Sequence, residues 1–442
     1  MSKILSHTLQ TSLQQFIPPE PAPPQITGKL VRVSGLTLEM AGLQAPLGAR
    51  CLVARGEGAP IEAEVVGFEA GRLFLMPIEL VSDLVPGARV WQRQQMAHFP
   101  AGRALLGRVV DALGRPLDDQ PLQTVESVVL NAPPHNPLSR KPITEPLDVG
   151  VRAINGLLTL GQGQRVGLIA GTGVGKSVLL GMITRFTEAD IVIVGLIGER
   201  GREVGDFIRS NLGAEGLAKS VVVAAPADTS PLMRLQGALY ATALAEYFRD
   251  QGHRVLLLMD SLTRYAQAQR EIALAAGEPP VTKGYPPSVF TRIPQLVERA
   301  GNAGESGGTL TAIYTLLAEG DDTQDPVVDA GRGVLDGHIV LSRALADSGH
   351  YPAIDVAASV SRLMVEITTP QHQQLARRFK QLYSAYETNR DMISLGMYRQ
   401  GSDPLVDEAI RRREGMNAFL TQAIQERVPF EQSVQQLAQV LR

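Results

Sequence analysis

The chain has one cysteine, Cys51, among 442 residues. An intrachain disulfide is therefore excluded, and the expectation is a reducing compartment. Aromatic residues are scarce at 5 %, and Trp91 is the only tryptophan. A platform of stacked aromatics for single-stranded nucleic acid is not supported. There is no excess of positive charge either. The formal net charge of −3 gives no electrostatic reason to expect a nucleic-acid partner. No apolar run approaches the roughly 20 residues that span a bilayer; the longest, such as Val255–Met259, are strand-sized. The start, MSKILSHTLQTSLQQF, is interrupted by polar residues and has no unbroken core of signal-peptide type. The expectation is a cytoplasmic protein, or one held peripherally at a membrane by partners.

What is present is ordinary in bulk, with 44 % hydrophobic and 20 % charged residues. At roughly 150 residues per domain the length suggests about three domains. Residues 1–17 set Leu5, Leu9, Leu13 and Phe16 at helical spacing. This is either a helix packed on its own domain or a docking helix for a partner. A proline-rich spacer follows, from Pro18 to Pro24. Residues 26–98 carry short β-prone runs, Lys29–Met40, Arg50–Arg55, Ile61–Phe68, Arg72–Met76 and Ala88–Gln92, which suggest a small barrel or sandwich. The Gly/Pro-rich stretch 99–150 reads as a connector wrapping the edge of the next domain. From about 151 to 370 strand-like runs alternate with helical ones. Strands are expected at Val166–Ile169, Ile191–Ile197, Val221–Ala224, Val255–Met259, Thr309–Leu317 and His338–Leu341. Helices are expected at 177–187, 203–212, 232–250, 261–276 and 289–300. That alternation argues an α/β fold, a parallel sheet with helices on both faces. The remainder, 371–442, reads as a small helical domain. Four segments result: 1–25, 26–98, 99–370 and 371–442.

The chemistry concentrates between Gly167 and Val204, GLIAGTGVGKSVLLGMITRFTEADIVIVGLIGERGREV. An apolar strand enters the turn Gly171-Thr172-Gly173-Val174-Gly175, and Lys176-Ser177-Val178 opens a helix. A phosphate loop needs small residues so that successive N–H groups face phosphate oxygens, a lysine for the β/γ-phosphates, and a hydroxyl for Mg²⁺. The following helix N-terminus favours anions. Ala170 stands where the strict pattern has glycine, and a small residue still fits. The second need is an acid near the Mg²⁺. Asp260 ends the apolar run Val255–Met259 and suits that role, or else caps the helix opening at Ser261. The third need is a group that orients water. Glu199 lies just past Ile191–Ile197 and could face a γ-phosphate, or pair at the surface with Arg200 or Arg202. A cation offsetting transition-state charge is sometimes supplied by a neighbouring subunit. Arg362 is a candidate, although by itself it is one arginine among many.

Several of these motifs together carry a resemblance. GTGVGKSVLLGM, GLIGERGREV, LLLMDSLTRYAQAQREIALAAGE, GYPPSVFTRIPQLVERAG and HYPAIDVAASVSR resemble the catalytic subunits of rotary ATP synthases, and more closely the ATPases of type III protein export. VRAINGLLTLGQGQRVGL followed by AGTGVGKSVLLGMITRF is most similar to the flagellar export branch, with the injectisome ATPases as near relatives. The similarity covers roughly 26–442. It implies an N-terminal β-barrel, a RecA-like core and C-terminal helices. It implies a homohexamer that hydrolyses ATP with Mg²⁺ at subunit interfaces. By motif position Lys176 and Ser177 would bind phosphate and Mg²⁺, and Asp260 would serve the Mg²⁺ shell. Glu199 would be the catalytic base, with Arg200 near the γ-phosphate. Arg362 would be an arginine finger acting on a neighbour, and Tyr351 would stack on adenine.

The implied partners are a stator-like regulatory protein at residues 1–17, a central-stalk-like protein, export-gate membrane proteins and chaperone–substrate complexes. No specific nucleic acid is implied. The implied location is the cytoplasmic base of an inner-membrane export apparatus. Where the synthase β subunit carries an acidic lever, this chain reads GMYRQGSDPLVDEA. That departure fits the export branch. Three other readings stand beside it: an injectisome ATPase, an RNA-translocating hexamer, which the charge and aromatic content disfavour, and an assembly module with a vestigial site.

Overall fold

The computed structural model describes residues 26–442 except 57, 80, 82, 94–96, 119, 124–125, 132–135, 305–306 and 319–324. The helix expected within 1–17 lies outside the described residues. The described residues fall into two compact units. The first ends at Leu75 and takes up the chain again from Val81; the second holds the rest.

The first unit is built on a closed barrel. Its strands are β1 (Thr27–Ser34), β2 (Thr37–Ala41), β3 (Arg50–Val53), β4 (Ile61–Glu69), β5 (Arg72–Pro77) and β6 (Arg89–Gln92). They close in the order β1-β2-β5-β4-β3-β6. The run Lys29–Met40 holds two strands rather than one, because the chain reverses at Gly35. Alternation sets the inside. In β4, Ile61, Ala63 and Val65 are buried while Glu62 and Glu64 face out. There Glu62 and Glu64 pair with Arg50, and Glu62 also with Arg93. Closure leaves the strands no free edge.

The second unit is organised by an eight-stranded sheet. Its strands are β7 (Val109–Asp111), β8 (Arg165–Ala170), β9 (Ile191–Ile197), β10 (Ser220–Ala225), β11 (Arg254–Asp260), β12 (Thr309–Leu317), β13 (Gly337–Leu341) and β14 (Ile354–Ser361). The order is β14-β13-β8-β12-β11-β9-β10-β7. All neighbours are parallel except β13 and β14. Six strands were expected. The connector supplies the seventh, β7, and the return from Leu341 to Ile354 adds β14 as an antiparallel edge. Both were missed because β7 is three residues long and β14 includes AAS, which has little β preference. Every residue of β9 is buried, as befits a strand covered on both faces.

The helices that matter for the site are α1 (Lys176–Phe186), α2 (Pro231–Asp250), α3 (Leu262–Ala275) and α4 (Pro287–Val297). The α2 helix packs against β9, β10 and β11, which explains why nearly all of it is buried. The helix expected over 203–212 begins at Gly201 and widens into π-helical turns over Phe207–Leu212.

Three C-terminal helices complete this unit: α5 (Pro370–Ser394), α6 (Pro404–Leu420) and α7 (Phe430–Val440). A buried polar hub ties them to the segment before β8. The Asn155 amide donates to Asp148 (2.7 Å) and to the Val428 carbonyl (3.2 Å). Gln422 donates to the Gly150 carbonyl (2.8 Å) and accepts from the Arg152 amide (2.7 Å). These bonds satisfy groups that would otherwise be costly to bury. Among the described residues no helix is long and apolar enough to cross a membrane.

Candidate functional site

Four neighbouring strands, β8, β12, β11 and β9, deliver their C-terminal ends to one place. In open α/β sheets this end is where ligands bind. The loop after β8 runs from Gly171 to Gly175 and α1 starts at Lys176. Gly173 and Gly175 have φ of +79° and +90°, a region that side chains resist. Val174 is buried and pins the loop to the core. Gly171 is buried as well, while Thr172 and Gly173 are exposed and Gly175, Lys176, Ser177 and Val178 are half-buried. The loop therefore offers its backbone outward at the head of a helix, the arrangement that receives anions.

Asp260 is the last residue of β11 and is buried. The helix cap that competed for it belongs to Ser261, whose hydroxyl accepts from the Arg264 amide (3.1 Å). Asp260 is thus left for the site. Glu199 lies two residues past β9, and it does not pair with Arg200 or Arg202. Those two face Glu203 (3.9 Å) and Asp206 (3.5 Å). Glu199 instead accepts from the Lys176 ammonium at 3.1 Å, and Asp260 accepts from it at 2.6 Å. Burial works against the Lys176 charge, yet Asp260 and Glu199 outweigh it and hold the amine's pKa above its ordinary value. Burial is also the main influence on Asp260 and pushes its carboxyl up, with Lys176 opposing and Glu199 reinforcing that shift.

A cleft opens here, lined by Ser177, Leu196, Glu199, Glu203, Val204, Phe207 and Asp260. Two residues of this region escaped the sequence reading. Glu203 lies in the first turn of the helix that opens at Gly201, four residues beyond Glu199, and its signal was the second acid in GERGRE. Thr315 donates to Asp260 Oδ1 at 2.6 Å; its signal was a hydroxyl inside the apolar strand TLTAIYTLL, where it needs a partner.

The remaining expected residues are spread more widely. The Tyr351 ring lies beside the Gly171–Gly175 loop: a Cβ on Gly175 would stand 3.5 Å from it. Tyr351 is 46 % exposed, so a face is open to a ligand, and its carbonyl accepts from the Gln422 amide (3.0 Å). Arg200 turns to solvent, with its side chain 85 % exposed. Arg362 is not brought to the other residues of its own chain. It follows Ser361, which is paired with Gly337 at the start of β13. That is the opposite end of the sheet from Lys176. Its guanidinium is exposed and donates to the Arg332 carbonyl (3.2 Å).

The donor set fits Mg²⁺ bound together with phosphates. Among the described residues no group of three or more His, Cys, Asp or Glu forms an all-protein metal cage. A hydroxyl at Ser177 and carboxylates at Asp260 and Glu203 line the cleft instead. Mg²⁺ characteristically takes one or two such carboxylates and completes its shell with phosphate and water oxygens.

Comparison with known proteins agrees with this geometry. Residues 150–361 match the ATP synthase alpha/beta family, nucleotide-binding domain, and residues 368–439 match the T3SS EscN ATPase C-terminal domain. The flagellum-specific ATP synthase of Salmonella typhimurium is 59 % identical, over 93 % of this chain and 92 % of its own. The assembled ATPase EscN from the enteropathogenic E. coli type III secretion system is 42 % identical, with a TM-score of 0.89 over 94 % of this chain and 100 % of that one. The same ATPase in complex with its central stalk EscO superposes with a TM-score of 0.86 and the same identity and coverage. A barrel, a parallel-sheet nucleotide-binding core and C-terminal helices, together with identity of this extent, place the chain: it belongs to the flagellum-specific ATP synthase family, the ATPases of flagellar type III protein export.

Proposed function

We propose that this chain is a Mg²⁺-dependent ATPase that works as a homohexamer at the base of a flagellar export apparatus, where hydrolysis drives chaperone release, unfolding and export. The observation that carries this reading is the convergence of Lys176, Glu199 and Asp260 within hydrogen-bonding distance, in a cleft that Ser177 also lines. Lys176 and the Gly171–Val178 backbone hold the triphosphate. Ser177 and Asp260 would hold Mg²⁺, with Glu203 beside them, and the ion would supply positive charge to the phosphates. Glu199 orients the attacking water. Arg200 lies near the γ-phosphate, and Tyr351 stacks on adenine.

Arg362 acts in trans. Its exposure, and its place at the far end of its own sheet, leave it available to a neighbouring subunit. EscN is described as assembled and as binding a central stalk; the reading extends both features to this chain, with a stalk-like partner, an export gate in the membrane and chaperone–substrate complexes. Residues 1–17 dock a stator-like regulator. No nucleic acid takes part.

The test is Glu199→Gln in cells, with motility and secreted proteins followed together. Loss of filament and hook proteins from the medium is the expected result. Intact flagella with loss of other secreted proteins would assign the chain to an injectisome, the second reading, which the likeness to EscN favours. Wild-type behaviour in both assays, with wild-type turnover of the purified variant, would make the site vestigial.

A further inference from the structure

The Asp260 carboxylate has two partners on one oxygen. Oδ1 accepts from Lys176 and from the Thr315 hydroxyl, each at 2.6 Å. Thr315 has 0 % exposure, so this bond is made without competition from water. The register sets it up. Met259 pairs with Tyr314 across β11 and β12, which puts Thr315 beside Asp260. The end of β12 is also anchored to α3, the helix that follows β11, where the Leu317 amide donates to the Thr263 hydroxyl (2.9 Å).

These two partners of Asp260 differ in kind. Lys176 is a long side chain shared between Asp260 and Glu199, and it is the group that must reach the phosphates. Thr315 is short, sits on a central strand and is locked by its neighbours. When Lys176 turns to the phosphates, Asp260 loses an ammonium and keeps a hydroxyl. We infer that Thr315 is a positioning residue that holds Asp260 Oδ1, leaving the other carboxylate oxygen to serve the Mg²⁺ shell once Lys176 has moved away. This rests on the reading of Asp260 as the Mg²⁺-shell acid. Groups that orient metal-binding side chains typically contribute 10–100-fold to metal affinity. The Thr315 hydroxyl also lies 3.4 Å from the Met259 carbonyl, the longer and weaker of its two contacts, so its proposed role runs through Asp260.

The experiment measures binding of a fluorescent ADP analogue to the full-length protein, with and without Mg²⁺. The ratio of the two affinities is the readout. Thr315→Val keeps the volume and removes the hydroxyl; it should shrink the ratio about tenfold while leaving Mg²⁺-free binding unchanged. Thr315→Ser should keep the wild-type ratio. Equal weakening with and without Mg²⁺, or equal loss in Thr315→Val and Thr315→Ser, would reduce Thr315 to a packing role and overturn the inference. If Thr315→Val does not fold, Thr315→Cys carries the test and should lie between the other two. Asp260→Asn separates the two claims. If it collapses the ratio and Thr315→Val does not, the positioning role fails alone. If it leaves the ratio intact, the reading of Asp260 fails first.

Discussion

The barrel and the sheet unit solve the burial of β-strands in opposite ways. Barrel strands have one apolar face and carry Arg–Glu pairs on the other, as Glu39 does between Arg32 and Arg72. The central strands of the sheet are apolar on both faces, and β9 has no exposed residue. A one-faced strand can place charge anywhere along its outer side. A two-faced strand can place it only where the strand ends. That difference locates the chemistry: Lys176, Asp260, Thr315 and Glu199 stand at or just beyond the C-terminal ends of four buried strands. Charge there is sheltered enough to interact strongly and lies at the rim of the core. Barrel charges run along the outer side of their strands with one partner in water, as Arg32 and Arg72 are around the buried Glu39; such surface pairs typically contribute about 0–1 kcal/mol.

The sharpest test of this contrast removes the sheltered ammonium. Lys176→Ala should lower ATP hydrolysis on the order of 10³-fold or more, since catalysis of phosphoryl transfer is mostly positioning and charge stabilisation. Steady-state turnover and nucleotide binding measure it. Turnover within tenfold of wild type would mean that the convergence of Lys176, Asp260 and Glu199 is only a structural ion pair.

Next in size are core truncations in the two units. Leu75 in the barrel and Leu258 in β11 both have 0 % exposure, and either change to alanine should cost about 2–5 kcal/mol. The consequences should differ. Cys51 is buried in the barrel, and burial raises its thiol pKa to about 11, so it should resist thiol reagents at pH 8 while the barrel is closed. Leu75→Ala should open Cys51 to labelling. Leu258→Ala should leave Cys51 protected and reduce hydrolysis, because the damaged strand carries Asp260. Labelling in Leu258→Ala but not in Leu75→Ala would break the comparison.

Legibility in the sequence follows the same divide. Apolar runs bounded by turn residues marked the six core strands, because burial on both faces writes itself as composition. The Gly171–Gly175 loop was legible since its backbone geometry, with positive φ at Gly173 and Gly175, demands particular residue types. Asp260 could be read from its position either as a helix cap or as a site acid, and Ser261 holds the cap. Thr315 was not singled out because its meaning lies in the register of β12 against β11, a tertiary fact. Glu203 was passed over although it is the second acid of GERGRE, because only the fold turns the first turn of the helix at Gly201 towards the cleft. Arg362 was legible only through resemblance. Within one chain it stands at the wrong end of the sheet, and its proposed role depends on a neighbour.

Titration offers the finest distinction. No histidine occurs between residues 26 and 93, so the barrel has none to protonate near neutral pH. The sheet unit has His372 at the start of α5, 3 % exposed. Its Nε2 donates to the Gly156 carbonyl (2.8 Å), and Phe430 stands edge-on at 5.7 Å. Burial lowers its pKa, and the bond to Gly156 opposes this only in part. An unfolded histidine titrates near pH 6.5. Below that value the unfolded chain takes up a proton that the folded chain resists. The stability contributed by neutral His372 is therefore present above about pH 6.5 and is lost as the pH falls towards the folded-state pKa. His338 and His350 shift in the same direction, so the comparison must be with a variant. His372→Gln keeps a donor for Gly156 and cannot titrate. Between pH 7.5 and 5.5 the melting temperature of the sheet unit should fall less in His372→Gln than in wild type, while Cys51 labelling should change equally in both. A parallel fall in both melting temperatures would remove His372 as a source of the pH dependence, and histidine-dependent labelling of Cys51 would show that the two units do not open separately.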